Sequence, residues 1–129
     1  MSNFSDFLEN KLLEITLKAG AAYTVAQPKL ALFTTNPTDD GSGNECDWTG
    51  YARQNISFGT VANGVANSAG TVTFPQVSGG DDVTVTHIGI YDAGTGGNLL
   101  YHSELTVAKT LSATDVLTIP TNGVSVTLS

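Results

Sequence analysis

The chain is 129 residues long, which suits one domain of about 100–150 residues and leaves no room for a second. Only 13% of it is charged, and five bases against twelve acids give a net charge of -7. The bases, Lys11, Lys18, Lys29, Arg53 and Lys109, are scattered, so the clustered positive surface that binds phosphates or an anionic membrane is excluded, and with it nucleic acid and membrane as partners. No apolar run is long enough to span a bilayer. Asp6, Glu9 and Glu14 stand where a secretory signal needs a basic start, so the chain is expected to be made in a host cytoplasm. With Cys46 as the single cysteine, neither an intramolecular disulfide nor a cysteine-based metal motif can form.

The first element is an amphipathic helix over Ser5–Lys18. Phe4, Phe7, Leu8, Leu12 and Ile15 recur at three- and four-residue spacing and make one apolar stripe. Ser5 caps it, Asp6 and Glu9 suit its positive end, Lys18 its negative end, and Gly20 ends it. Such a stripe either covers a sheet or lies in a partner's groove as a docking arm. Residues 1–20 are therefore assigned to a helical arm and 21–129 to a β domain.

Beyond Gly20 the period changes to short β-like runs broken by Gly, Asn, Asp and Pro. Strands are predicted at Lys29–Thr34, Ala52–Phe58, Thr71–Phe74, Val83–Tyr91, Leu99–Leu105, Val116–Ile119 and Val124–Leu128, with Thr60–Gly70 a loop containing a tight turn. Pro120–Gly123 reads as the turn of a C-terminal hairpin, because Asn-Gly takes positive φ readily. Strands without intervening helices point to a mainly β fold, an antiparallel β-sandwich of jelly-roll or immunoglobulin-like kind, with one N-terminal amphipathic helix. Two long polar turns, Asn36–Asp47 and Asp92–Gly97, belong at the surface.

The residues that carry chemistry do not assemble into a site. The Gly-x-Ser-x-Gly nucleophile pattern is absent, and Glu45 and Asp47 on either side of Cys46 raise the pKa of its thiol and leave it unreactive. If Val83–Tyr91 and Leu99–Leu105 turn back near Thr95, His87 and His102 point to opposite faces, unless a bulge in the Gly-rich turn changes the register and leaves a shared metal site open. Asp39, Asp40, Glu45 and Asp47 offer oxygen ligands, but they do not alternate as a twelve-residue calcium loop requires. Gly94–Gly97 lacks the lysine and the following helix of a phosphate loop. Trp48, Tyr51, Tyr91 and Tyr101 are candidates for a sugar-stacking platform, Trp48 foremost because it adjoins the acidic loop. Neither a catalytic residue nor a cofactor is assigned.

The segments Phe4-Ser-Asp-Phe-Leu-Glu-Asn-Lys-Leu-Leu13, Leu30-Ala-Leu-Phe-Thr-Thr-Asn-Pro-Thr-Asp39, Gly50-Tyr-Ala-Arg53, Val85-Thr-His-Ile-Gly-Ile-Tyr-Asp92 and Gly97-Asn-Leu-Leu-Tyr-His102 resemble, in order, a family of small tailed-bacteriophage virion proteins often labelled tail-fibre-like. The resemblance implies a non-enzymatic structural component of the virion. A compact domain without shaft repeats suits an appendage better than a long fibre. The expected role is a capsid decoration protein on the outside of the shell, bound to the major capsid protein. The alternative is a tail or tail-fibre accessory bound to tail proteins, and a carbohydrate-binding module is a third reading. Lattice symmetry makes a homotrimer the expected oligomer. The partner-interface candidates are Phe4, Phe7, Leu8, Leu12 and Ile15 on the helix, with Asp39, Asp40, Trp48 and Arg53.

Overall fold

The computed structural model describes residues 3–128. Met1, Ser2 and Ser129, at the outer ends of the predicted arm and β domain, lie outside the described residues. The elements in chain order are β1 (Asn3–Phe4), α1 (Asp6–Leu17), β2 (Lys29–Phe33), β3 (Gln54–Asn55), β4 (Ser57–Phe58), β5 (Val65–Ala69), β6 (Val72–Thr73), β7 (Val83–Tyr91), β8 (Leu99–Leu111), β9 (Thr118–Ile119) and β10 (Ser125–Thr127). They form three antiparallel sheets, in the orders β1-β8-β7-β2-β3, β10-β5-β4 and β6-β9. Alternation along β2 and β7 sorts their side chains onto two faces. Leu30, Leu32 and Ile90 point inward and meet Ile56, Val72, Phe74, Val77 and Val124 from the smaller sheets and their loops. The fold is therefore mainly β and sandwich-like, as the composition and punctuation predict.

The strongest runs form the predicted strands, β2 and β7 almost residue for residue. Weaker runs differ for local reasons. The predicted Ala52–Phe58 strand breaks in two, since Ile56 turns inward, nearly inaccessible, and its N–H donates to Pro28 O at 3.1 Å. β3 and β4 consequently join different sheets. Within the predicted Thr60–Gly70 loop, Asn63 and Gly64 make the tight turn with φ of 53° and 74°. Val65–Ala69 nevertheless forms β5, a small, polar strand whose lone fully buried side chain, Ser68, accepts the Val124 N–H at 3.1 Å. The Pro120–Gly123 turn exists, closed by Gly123 N–H to Pro120 O at 2.9 Å, but its arms do not pair. β9 pairs with β6 and β10 with β5, so the expected C-terminal hairpin is instead a crossing between two sheets.

The other face of the five-stranded sheet carries a second, smaller core of Ala31, Phe33, Tyr91 and Leu99. Gly89 makes room for it: a Cβ there would stand 2.9 Å from both Phe33 Cε1 and Leu99 Cδ1. The space lets the Phe33 and Tyr91 rings lie nearly parallel, 6.3 Å apart. On this face lies the polar Asn36–Asp47 loop, whose Asp39 O accepts the Asp6 N–H from the start of α1 at 2.9 Å. The loop is packed against the domain, with Pro37 fully buried and the Cys46 N–H donating to Leu32 O at 2.8 Å.

Candidate partner-binding surface

The helix has two different halves. Its start is locked to the sheet: the Ser5 N–H donates to Leu100 O at 2.9 Å, and the Ser5 hydroxyl donates to Leu99 O while accepting the Leu8 N–H at 3.1 Å. One buried serine thus caps the helix and fastens it to β8. Leu8 is buried, Phe4 packs edge-on against Tyr101, and Phe7 edge-on against Tyr23. The returning chain is held in turn, because the Tyr23 hydroxyl donates to Asp92 Oδ2 at 2.7 Å. Desolvation opposes charge on Asp92, but hydrogen bonds from the Asn98 backbone, the Asn98 side chain and Tyr23 outweigh it and hold the carboxyl below its ordinary pKa.

Past Leu12 the helix has no cover. Leu13 is 58% exposed, Ile15 38% and Leu17 76%. At about 100° per residue, Ile15 continues the Leu8–Leu12 stripe, whereas Leu13 and Leu17 lie one turn apart on the opposite side. Exposed leucines on the side of a helix away from its buried stripe are an uncovered apolar surface. The single-stripe reading covers Phe4 to Ile15 and misses Leu13 and Leu17, although their four-residue spacing in the sequence is the signal that finds them.

A second apolar surface opens on the inner side of β8. Four residues, Leu105–Ala108, face Thr86 alone, between the His87–Glu104 and Val85–Lys109 pairs. This bulge carries β8 away from β7 and leaves Val107 63% exposed. Between the bulge and the strand-turn segment 117–124 runs a groove of about 400 Å³, lined chiefly by Ile88, Leu105, Val107, Leu117 and Ile119, with Lys109 at its rim.

Leu8, Trp48 and Arg53, predicted to meet a partner, are turned into the fold. Leu8 anchors the helix. Trp48 is buried in the main core edge-on to Tyr51, 5.0 Å between ring centroids, so it cannot form a sugar platform. Arg53 is turned inward: Nε and Nη2 donate to Glu45 Oε2 and Oε1, both at 2.9 Å, and Nη1 donates to Ala93 O at 3.0 Å and Gly96 O at 2.8 Å. Its guanidinium also lies 3.6 Å from the Tyr91 ring centroid. The same Glu45 accepts from the Tyr51 hydroxyl at 2.7 Å, and that hydroxyl accepts the Leu32 N–H at 3.1 Å. This cluster joins both polar turns to β2.

In the acidic loop, Asp39 remains half exposed and accepts from His102 Nε2 at 2.7 Å, while its backbone oxygen accepts the Asp6 N–H at 2.9 Å. Asp40 is exposed and accepts from Thr38 and from the Ser42 N–H, which keeps its carboxyl below the ordinary value. His87 pairs with Glu104 and His102 with Gly89, so both histidines stand on the same face, contrary to the predicted divergence. An irregularity at Ile90–Tyr91 shifts the register by one residue and reverses the parity. They remain apart chemically, since His87 Nδ1 bonds Thr86 while His102 bonds Asp39. Among the described residues, no three His, Cys, Asp or Glu side chains converge on a common point.

Cys46 is buried, and burial first, then Glu45 and Asp47, push its thiol up to about 12. A thiol reagent at neutral pH is expected to leave it unmodified in the native protein and to label it only as the chain unfolds. Stoichiometric labelling within seconds under native conditions would contradict the burial.

These features describe a domain whose Arg53 and Asp39 clusters hold its shape and which leaves apolar side chains uncovered at the end of α1 and beside β8. A family model described as podophage GP4 fiber I protein gp80 matches residues 3–127. The chain belongs to that family. The gp80-family match takes in α1, both polar turns and β10, which makes the chain a structural phage protein and a virion component. A search of curated proteins gives no match. Among the described residues no helix is long and apolar enough to cross a membrane.

Proposed function

We propose that this chain is a non-enzymatic component of the phage tail fibre, a rigid β module that joins its assembly through the uncovered end of α1. The observation that carries this reading is the exposure of Leu13, Ile15 and Leu17 on both sides of a helix whose first turns are fixed to the domain. The fixed half sets the direction in which the free half projects, as an attachment element requires. Membership in a fibre family over nearly the whole chain favours the tail over the shell, and the capsid-decoration role becomes the competing outcome.

Copy number per purified virion, measured by quantitative mass spectrometry against the major capsid protein, tests the proposal. A few to a few tens of copies are expected, matching the low-order symmetry of tails. Copies in the hundreds, in simple ratio to the shell protein, would overturn the fibre reading in favour of decoration. None at all would remove the chain from the mature particle.

A further inference from the structure

We propose that the free end of α1 in one copy of this chain docks into the groove beside β8 of another copy. The inference rests on reading that end as an attachment surface, and it names the partner. Each of the two surfaces lacks what the other offers. Leu13 and Leu17 project from the helix without cover, and Val107, Leu105 and Ile119 line an open apolar groove. A copy does not fill its own groove: within one chain Leu17 at the helix end is 76% exposed and Val107 beside the groove 63% exposed, so both surfaces are uncovered. The contact is therefore heterologous, a helix end on one copy and a groove on the next. Such a contact closes into a ring when its rotation permits. The groove's volume of about 400 Å³ is within the range that accepts a few side chains.

Charge selects the occupant. Lys109 is the one charged residue of the groove lining, and it makes no ion pair among the described residues. The uncovered segment Leu13-Glu-Ile-Thr-Leu17 likewise carries one charge, Glu14. Glu14 is held only by Lys11 at 3.1 Å, in a pair whose side chains are 44% and 31% exposed. An exposed pair of that kind is easily exchanged. With Leu13 and Leu17 in the groove, Glu14 lies at its rim and meets Lys109 of the neighbouring copy. One such contact is small, and its strength comes from repetition, since each copy in a closed ring makes it twice.

Charge reversal in the full chain, read by sedimentation velocity over a range of concentrations, tests the inference. Lys109 is exposed and Glu14 half-exposed, and circular dichroism checks that the fold is kept. Glu14→Lys and Lys109→Glu are each expected to weaken self-association by about tenfold, and the double variant to restore it. Leu17→Asp is expected to abolish it, and a Leu17→Cys/Val107→Cys protein to oxidise to disulfide-linked oligomers. A chain that stays monomeric at high concentration, or a double variant no better than the singles, would overturn the inference. Virion incorporation separates this failure from that of the fibre reading. If Leu17→Asp reduces incorporation while the isolated wild-type chain is monomeric, the helix docks on a different protein: the fibre reading stands and the self-docking inference falls.

Discussion

Replacing Arg53 with alanine is expected to destabilise the domain by about 3 kcal/mol, the usual cost of breaking a buried ion pair by removing one partner. The Arg53 side chain is 9% exposed and that of Glu45 24%, so the abandoned carboxylate has little water to turn to. It keeps only the Tyr51 hydroxyl, while the Ala93 and Gly96 carbonyls lose their donor and Tyr91 loses the cation over its ring. For a domain of this length the midpoint of thermal unfolding should fall by about 10 °C. Lysine is a poor substitute, because a single ammonium cannot hold two carboxylate oxygens and two carbonyls in one plane. Adding Glu45→Ala to Arg53→Ala removes the stranded charge. The double variant should therefore be more stable than the sum of the singles by about 1–2 kcal/mol. Strict additivity, measured by denaturant unfolding, would mean that the cluster does not act as a unit.

The same cluster shows where sequence reading stops. Gly50-Tyr-Ala-Arg53 belongs to the segments that resemble the phage family, and a lone arginine beside a polar loop reads as a contact for a partner. Its destination depends on the Ala93 and Gly96 carbonyls, forty residues or more along the chain, and no local pattern encodes that. Trp48 is similar: polar neighbours on the loop side suggest exposure, but the chain beyond Cys46 turns the ring into the core. Periodicity performs well where one face is buried along a whole element, as in β2 and β7. It fails for β5, whose burial pattern has a single fully buried residue, a serine. It also fails for the parity of the histidines, since one bulge reverses the face of every residue beyond it. In α1 the stripe is legible, yet a single stripe conceals a division of labour. Leu8 serves the fold, whereas Leu13 and Leu17, off the stripe, are left uncovered.

That division depends on the acidic loop, and Gly43→Ala is the substitution expected to disturb it most. Gly43 lies where the two limbs of the loop cross. An alanine Cβ would stand 2.6 Å from both Asn36 O and Pro37 Cα, and both are backbone atoms with no flexible end to swing aside. The limbs cannot part freely, because the Thr34 N–H donates to Asn44 O at 2.9 Å and the Asn44 N–H to Thr35 Oγ1 at 2.8 Å, while Pro37 is fully buried. Relief must come by breaking that stem or lifting Pro37, at about 2 kcal/mol by analogy with overpacked cores. Either movement carries Asp39 with it, and Asp39 holds the Asp6 N–H through its backbone and His102 through its carboxylate. The variant should therefore lose stability and also speed hydrogen exchange at the Asp6 amide, at the start of the helix. Gly20→Ala is the control. Gly20 has φ of 80°, and a methyl group there would meet nothing within 4 Å, so alanine costs about 1 kcal/mol of backbone strain and leaves the Asp6 amide protected. Unchanged exchange at Asp6 in Gly43→Ala would mean that Ser5 alone seats the helix, and that the loop only covers it.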